Sequence, residues 1–287
     1  YPGLDTLPET AEHVVLALGD ANVEAGLDAA IASGARAATI FTGLAPGSDA
    51  GPPLRERIAA KIADSGLVVC GANGMGFYNF ADGIWVCGFD TRSNHPRGGN
   101  VTLISHSGSG MSGIIDCEER IDFNLAVSTG QELSVTMDQY MDWALDRPET
   151  RVVGLFMETA RNPEGMAAAF SKARRRGIPV VVLKVGRTEL SARLAVSHSG
   201  AIAGRDDAYQ ALFDRYGVQR VRDMDELAST LIMFAQPHPV AAGGLVSIHD
   251  SGGERQLLID LAEDMRVPLA GVESATTERL EALLDPG

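Results

Sequence analysis

Cysteine is scarce: three in 287 residues, Cys70, Cys87 and Cys117, with no C-x-x-C pair among them. That spacing argues against a disulfide framework and against structural zinc, so no metal site is expected. No run reaches the roughly 18 apolar residues of a membrane span, and no signal peptide opens the chain. Basic residues are outnumbered, 24 Lys and Arg against 38 Asp and Glu, giving a formal net charge of −14. Such a chain repels the nucleic-acid backbone, yet helix N-termini and glycine-rich loops still bind phosphate locally. Also missing are a Walker A phosphate loop and a G-x-S-x-G elbow. A nucleoside triphosphate site of the chain's own and a serine-hydrolase centre are therefore not expected. The expectation is a cytoplasmic protein that engages neither nucleic acid nor membrane. Both ends, at Tyr1 and Gly287, read as cuts within a longer polypeptide.

What is present is alternation. Short apolar runs predict strands over 14–18, 37–41, 67–70, 84–88, 101–105, 124–128, 152–157, 179–184 and 245–248. Helical patterns predict helices over 22–33, 54–65, 108–119, 137–145, 163–176, 206–216, 225–234 and 253–264. The strands are continuous apolar runs, as in parallel sheets covered on both faces, so the class is α/β and doubly wound. Two Gly/Pro-rich linkers, 94–100 and 236–239, divide the chain into blocks 1–97, 98–238 and 239–287.

Ligands in this architecture bind where strands run into helices. Gly71-Ala72-Asn73-Gly74-Met75-Gly76 follows a strand, and its glycines permit close backbone approach; a turn built on left-handed positions explains it equally. Ser105-His106-Ser107-Gly108 precedes a helix and suits an anion, beyond what a cap requires. Lys184-Val185-Gly186-Arg187-Thr188 is followed by a second such run, Ser197-His198-Ser199-Gly200. A neutral imidazole attacks phosphorus competently, although a lone histidine is more often structural than catalytic. Asp250-Ser251-Gly252-Gly253 fits either a phosphate or a capping turn.

The order of these pieces resembles the NDP-forming acyl-CoA synthetases, relatives of the succinyl-CoA synthetase α subunit. Lys184–Glu189 followed by Ala195-Val196-Ser197-His198-Ser199-Gly200-Ala201-Ile202-Ala203-Gly204 is similar to the family's K-x-G-R-T-E…S-H-T-G-x-x-A-G segment. The resemblance implies that His198 is transiently phosphorylated and that Glu158, at a strand end, orients it. It implies a phosphate cradle at Ser105, His106, Ser107 and Gly108 together with Ser199 and Gly200, His106 replacing the usual Gln. Gly71, Asn73 and Gly76 resemble the G-P-N-C-x-G loop beside coenzyme A, and Gly130 lies in a turn resembling S-x-G-N. The implied fold is a Rossmann-like CoA-binding domain at 1–97, its first strand and Gly-rich loop missing. A flavodoxin-like ligase domain at 98–238 carries the phosphohistidine loop, and 239–287 starts a second one. The implied activity is an acid–thiol ligase: carboxylate, CoA and NTP to acyl-CoA, NDP and phosphate. ATP or GTP with Mg2+ would bind an ATP-grasp domain or subunit outside this chain, in an oligomer, and the chain alone would be inactive. The partner small molecule is a carboxylic acid or its acyl-CoA. The alternatives are an acyl-CoA-sensing regulatory domain of a protein acetyltransferase, an FdrA-like ligase relative, or a flavodoxin-like binding module.

Overall fold

A computed structural model describes residues 1–45, 51–91, 95, 98–191, 205–238 and 242–284. The chain divides into two compact units, 1–236 and 237–287.

The first unit opens with a β-α-β-α-β run: β1 (His13–Leu16), α1 (Asp20–Ala32), β2 (Ala37–Ile40), α2 (Leu54–Ser65) and β3 (Val68–Gly71). The three strands form a parallel sheet in the order β1-β2-β3. Apolar positions of α1 and α2, among them Val23, Leu27, Ile58 and Ile62, share one core with Val14, Leu16, Ile40 and Val69. Gly66, at φ 71°, ends α2 in the left-handed conformation that glycine adopts without strain.

A hairpin follows, β4 (Gly76–Asn79) and β5 (Ile84–Cys87), and then β6 (Val101–Ser105), α3 (Gly108–Cys117), β7 (Phe123–Ser128) and α4 (Met137–Asp146). The chain continues through β8 (Val152–Met157), α5 (Pro163–Arg176), β9 (Val180–Lys184), α6 (Asp206–Tyr216), β10 (Gln219–Val221) and α7 (Met224–Ala235). These strands make a seven-stranded sheet in the order β10-β9-β8-β6-β7-β4-β5. Its five strands from β10 to β7 are parallel. Numbered within that group, β7-β6-β8-β9-β10 is 2-1-3-4-5, the flavodoxin order. One core joins this sheet to α3 and α7 through Met111, Ile115, Leu227 and Leu231. The other joins it to α4, α5 and α6 through Met141, Met166, Phe170 and Phe213. Helices on both faces explain why β6, β7 and β9 are buried at every position.

Three differences from the sequence reading matter. The hairpin is antiparallel and adds to β7, so the sheet is mixed and the 1–97 block supplies strands to both sheets. The strand expected at 245–248 is reduced to an isolated bridge between Leu245 and Leu269. Strands β4 and β10 and helix α9 (Ser274–Glu281), which follows α8 (Gly252–Asp264) in the second unit, were not foreseen. Ser251 caps α8, accepting the Glu254 N–H at 3.4 Å, so the capping explanation suffices for that loop.

Candidate functional site

The order of the larger sheet reverses between β6 and β8, and their carboxyl ends open a crevice there. Four loops meet around it. Residues 105–108 leave β6, 129–132 leave β7, 158–162 leave β8, and 71–76 join the small sheet to the hairpin.

The first of these loops is held by its own hydroxyls. Ser105 Oγ donates to the Ser107 carbonyl at 2.7 Å and accepts the Ser107 N–H at 3.1 Å. Ser107 Oγ caps α3 by accepting the Gly110 N–H at 3.1 Å. Gly108, Gly110 and Gly113 also have the spacing G-x-G-x-x-G behind a strand. Packing accounts for the first of them, because a Cβ on Gly108 would lie 2.3 Å from Met75 Cγ.

His106 departs from expectation. It is 4% exposed. Its Nδ1 accepts the Glu158 N–H at 2.9 Å, so the ring proton sits on Nε2, which donates to Glu132 Oε1 at 3.0 Å. With both nitrogens engaged inside the protein, the ring is a strut between two loops and has no nitrogen to offer a phosphate. Glu132 anchors the far end. Its Oε1 also accepts the Met137 N–H at 2.8 Å, and its Oε2 lies 3.4 Å from Arg161 Nε. Burial lowers the Arg161 pKa; Glu132 opposes the shift, the neighbouring Arg55 reinforces it, and Glu158 opposes it.

Glu158 is held from both sides. Its N–H is taken by His106, and its carbonyl accepts a hydrogen bond from Lys184 Nζ at 2.7 Å. Lys184 is itself buried, donates to the Val185 carbonyl, and lies over the Tyr209 ring at 4.6 Å. Burial pushes its amine down to about 8, with Asp206 opposing, Arg220 reinforcing and Glu158 opposing. Lys184 therefore orders the end of β8 rather than reaching a ligand.

The 71–76 and 129–132 loops interlock through backbone. Gln131 N–H donates to the Ala72 carbonyl at 2.6 Å, Leu133 N–H to the Gly71 carbonyl at 3.0 Å, and Met75 N–H to Ser128 Oγ at 3.0 Å. Gly130 has φ 60°, and a Cβ there would meet the Ala72 carbonyl oxygen at 2.1 Å. Gly71 and Gly76 also have positive φ, and a Cβ on either would strike a neighbouring carbonyl oxygen. Backbone geometry thus explains these glycines without a ligand. Asn73 alone in its loop is exposed, beside Gly43. Gln131 is buried; its Nε2 donates to the Gly43 carbonyl at 2.7 Å, and its Oε1 has no hydrogen-bond partner among the described residues.

The structure brings together Ser105, His106, Ser107, Gly108, Gly71, Asn73, Gly76, Gly130 and Glu158. His198, Ser199 and Gly200 lie outside the described residues. Sequence reading missed Glu132 and Arg161, which no motif marks, whereas Gln131 closes the Ser128–Gln131 turn that resembles S-x-G-N. No described helix is long and apolar enough to cross a membrane.

Comparison with known proteins adds the family context. Residues 98–234 match the succinyl-CoA ligase like flavodoxin domain. The chain is similar to an acetate–CoA ligase (ADP-forming) of Methanocaldococcus jannaschii, 30% identical over 193 residues, 67% of this chain and 27% of that protein. It is similar to the α subunit of acetate–CoA ligase (ADP-forming) II of Pyrococcus furiosus, 31% identical over 191 residues, 66% of this chain and 41% of that subunit. The chain thus spans less than half the length of these two relatives. In fold it resembles the dinucleotide forming acetyl-coenzyme A synthetase 1 of Ca. Korarchaeum cryptofilum, with a TM-score of 0.80 at 22% identity, covering 100% of this chain and 61% of that one.

Proposed function

The chain belongs to the NDP-forming acyl-CoA synthetase family, with a succinyl-CoA ligase like flavodoxin domain at 98–234, and from that premise we propose that it is the CoA-binding, phosphoryl-carrying part of such a ligase. The reaction is carboxylate, CoA and NTP to acyl-CoA, NDP and phosphate. An ATP-grasp domain or subunit supplies the nucleotide and Mg2+ site, a reading supported by the Pyrococcus relative, which is named as an α subunit.

The observation that carries the proposal is the rigid placement of Glu158 at the crevice, its backbone held by His106 on one side and Lys184 on the other. A carboxylate carried on a backbone held in this way can orient an imidazole and stabilise its positive charge, as the carboxylate does in nucleophilic triads. His198 is the imidazole it serves. The first turn of α3, with small residues and a side-chain cap on Gly110 alone, stabilises charge on the group in transit. Coenzyme A supplies the thiol that accepts the acyl group. Exposed Asn73 and the buried Oε1 of Gln131, which has no partner among the described residues, both beside Gly43, fit a polar ligand of that kind.

The test is thioester formation by the complete polypeptide with its ATP-grasp partner, given ATP, Mg2+, CoA and a panel of carboxylic acids. Glu158→Gln should lower the rate by about 100-fold or more and His198→Ala should abolish it. An unchanged rate in either variant overturns the proposal.

A further inference from the structure

Beyond Met157 the ladder between β8 and β9 stops, its last bond running from the Val185 N–H to the Met157 carbonyl at 3.0 Å. The chain then enters a loop whose first residues, Glu158 and Thr159, are buried. Buried backbone groups need partners, and neither a strand nor water supplies them here. Three side chains from three different elements do. His106 accepts the Glu158 N–H, and Lys184 Nζ donates to the Glu158 carbonyl. Tyr209 Oη accepts the Ala160 N–H at 2.9 Å and lies 3.4 Å from Thr159 Oγ1.

The position of Tyr209 follows from α6. Tyr209, Phe213 and Tyr216 recur at helical spacing and pack on the core shared with β8 and β9. A crossover helix begins at the carboxyl edge of a parallel sheet, so the first of these positions stands level with the β8 loop. A tyrosine there buries its ring and keeps its hydroxyl for a polar partner. The same ring lies beneath Lys184 Nζ, 4.6 Å from its centroid. Lys184 is 2% exposed. Burying an ammonium is costly unless it is well partnered, and its partners are the Glu158 and Val185 carbonyls and this aromatic face. Tyr209 therefore bears on the β8 loop twice, through the Ala160 N–H and through the amine that grips Glu158.

We propose that Tyr209 is a positioning residue of the phosphoryl relay, holding the Glu158 loop in the arrangement in which its carboxylate serves the imidazole. The inference rests on the ligase reading for what Glu158 does, and not for the link between Tyr209 and the loop. Tyr209 acts through backbone and through Lys184, and takes no part in bond making.

Tyr209→Phe tests this in the complete polypeptide with its ATP-grasp partner. Phenylalanine keeps the ring beneath Lys184 and removes only the acceptor of the Ala160 N–H. The kcat of thioester formation should fall about tenfold, with KM for CoA and for the carboxylic acid within about twofold of wild type. Amide hydrogen exchange across 158–162 should quicken about tenfold, while exchange in β6 and β7 stays as in wild type and reports an intact fold. An unchanged kcat overturns the proposal whatever the exchange shows, because Tyr209 would then only support the loop. Unchanged exchange across 158–162 overturns it as well. The two readings fail separately. If the wild type forms no thioester from any acid, the ligase reading falls, and the exchange measurement alone decides whether Tyr209 holds the Glu158 loop.

Discussion

Ser-His-Ser-Gly occurs twice, at 105–108 and at 197–200. The first directly follows β6, and the four letters of the two runs are identical. In the first, the imidazole bridges the Glu158 backbone and the Glu132 carboxylate, so no ring nitrogen is left for chemistry. The second lies outside the described residues, and its reading rests on its flanks, Lys184–Glu189 and Ala201–Gly204. The contrast shows that a helix-start Ser-His-Ser-Gly is not a phosphoryl carrier in itself. On the proposed reading of His198, what a buried carboxylate does with the imidazole decides between strut and nucleophile.

That contrast can be broken at its anchor. Glu132→Ala leaves His106 Nε2, Met137 N–H and Arg161 without their shared acceptor. It should destabilise the first unit by about 3–5 kcal/mol in urea unfolding, the usual consequence of removing one partner of a buried ion pair. A loss below 1 kcal/mol would show that the strut is not engaged. Gly130→Ala attacks the same loop through backbone. Positive φ and a Cβ 2.1 Å from the Ala72 carbonyl oxygen should cost roughly 1–3 kcal/mol, read as a lower urea midpoint.

Lys184 tests the support on the other side of Glu158 through pH. Its value of about 8 in the folded protein lies below the ordinary 10.5. Below pH 8 both states are protonated and the burial penalty is carried in full. Between pH 8 and 10.5 the folded protein has released the proton while the unfolded chain retains it. Stability should therefore rise with pH across that window, by up to about 3 kcal/mol. Lys184→Met should lose this rise, and an identical profile in wild type and variant would refute the buried amine. The smallest effect is expected from His106→Gln. A glutamine can accept the Glu158 N–H through its carbonyl and donate to Glu132 through its amide, so stability should change by about 1 kcal/mol or less.

Much of this was legible in the sequence, and the exceptions have physical causes. Strands β6, β8 and β9 read correctly because both faces are buried and nothing interrupts their apolar runs. Strand β4 did not, because Gly76 and its neighbours look like the end of a glycine-rich loop, and its pairing to β7 is a long-range event that local pattern does not record. At 245–248 the apolar run is real, yet only Leu245 finds a strand partner in the second unit. At the site, the small-residue loops announced themselves. Glu132 and Arg161 did not, since each looks like an ordinary surface charge until the fold assembles them. His106 was visible but its role was not, because sequence shows an imidazole and not what its nitrogens touch.

The most direct measurement is to map the phosphoryl group between the two histidines. The complete protein is incubated with γ-labelled ATP and Mg2+, and the acid-labile, base-stable label is located by peptide mapping. The account predicts label on His198 alone, abolished by His198→Ala and retained in His106→Gln. Label on His106, or label that survives His198→Ala, would contradict it.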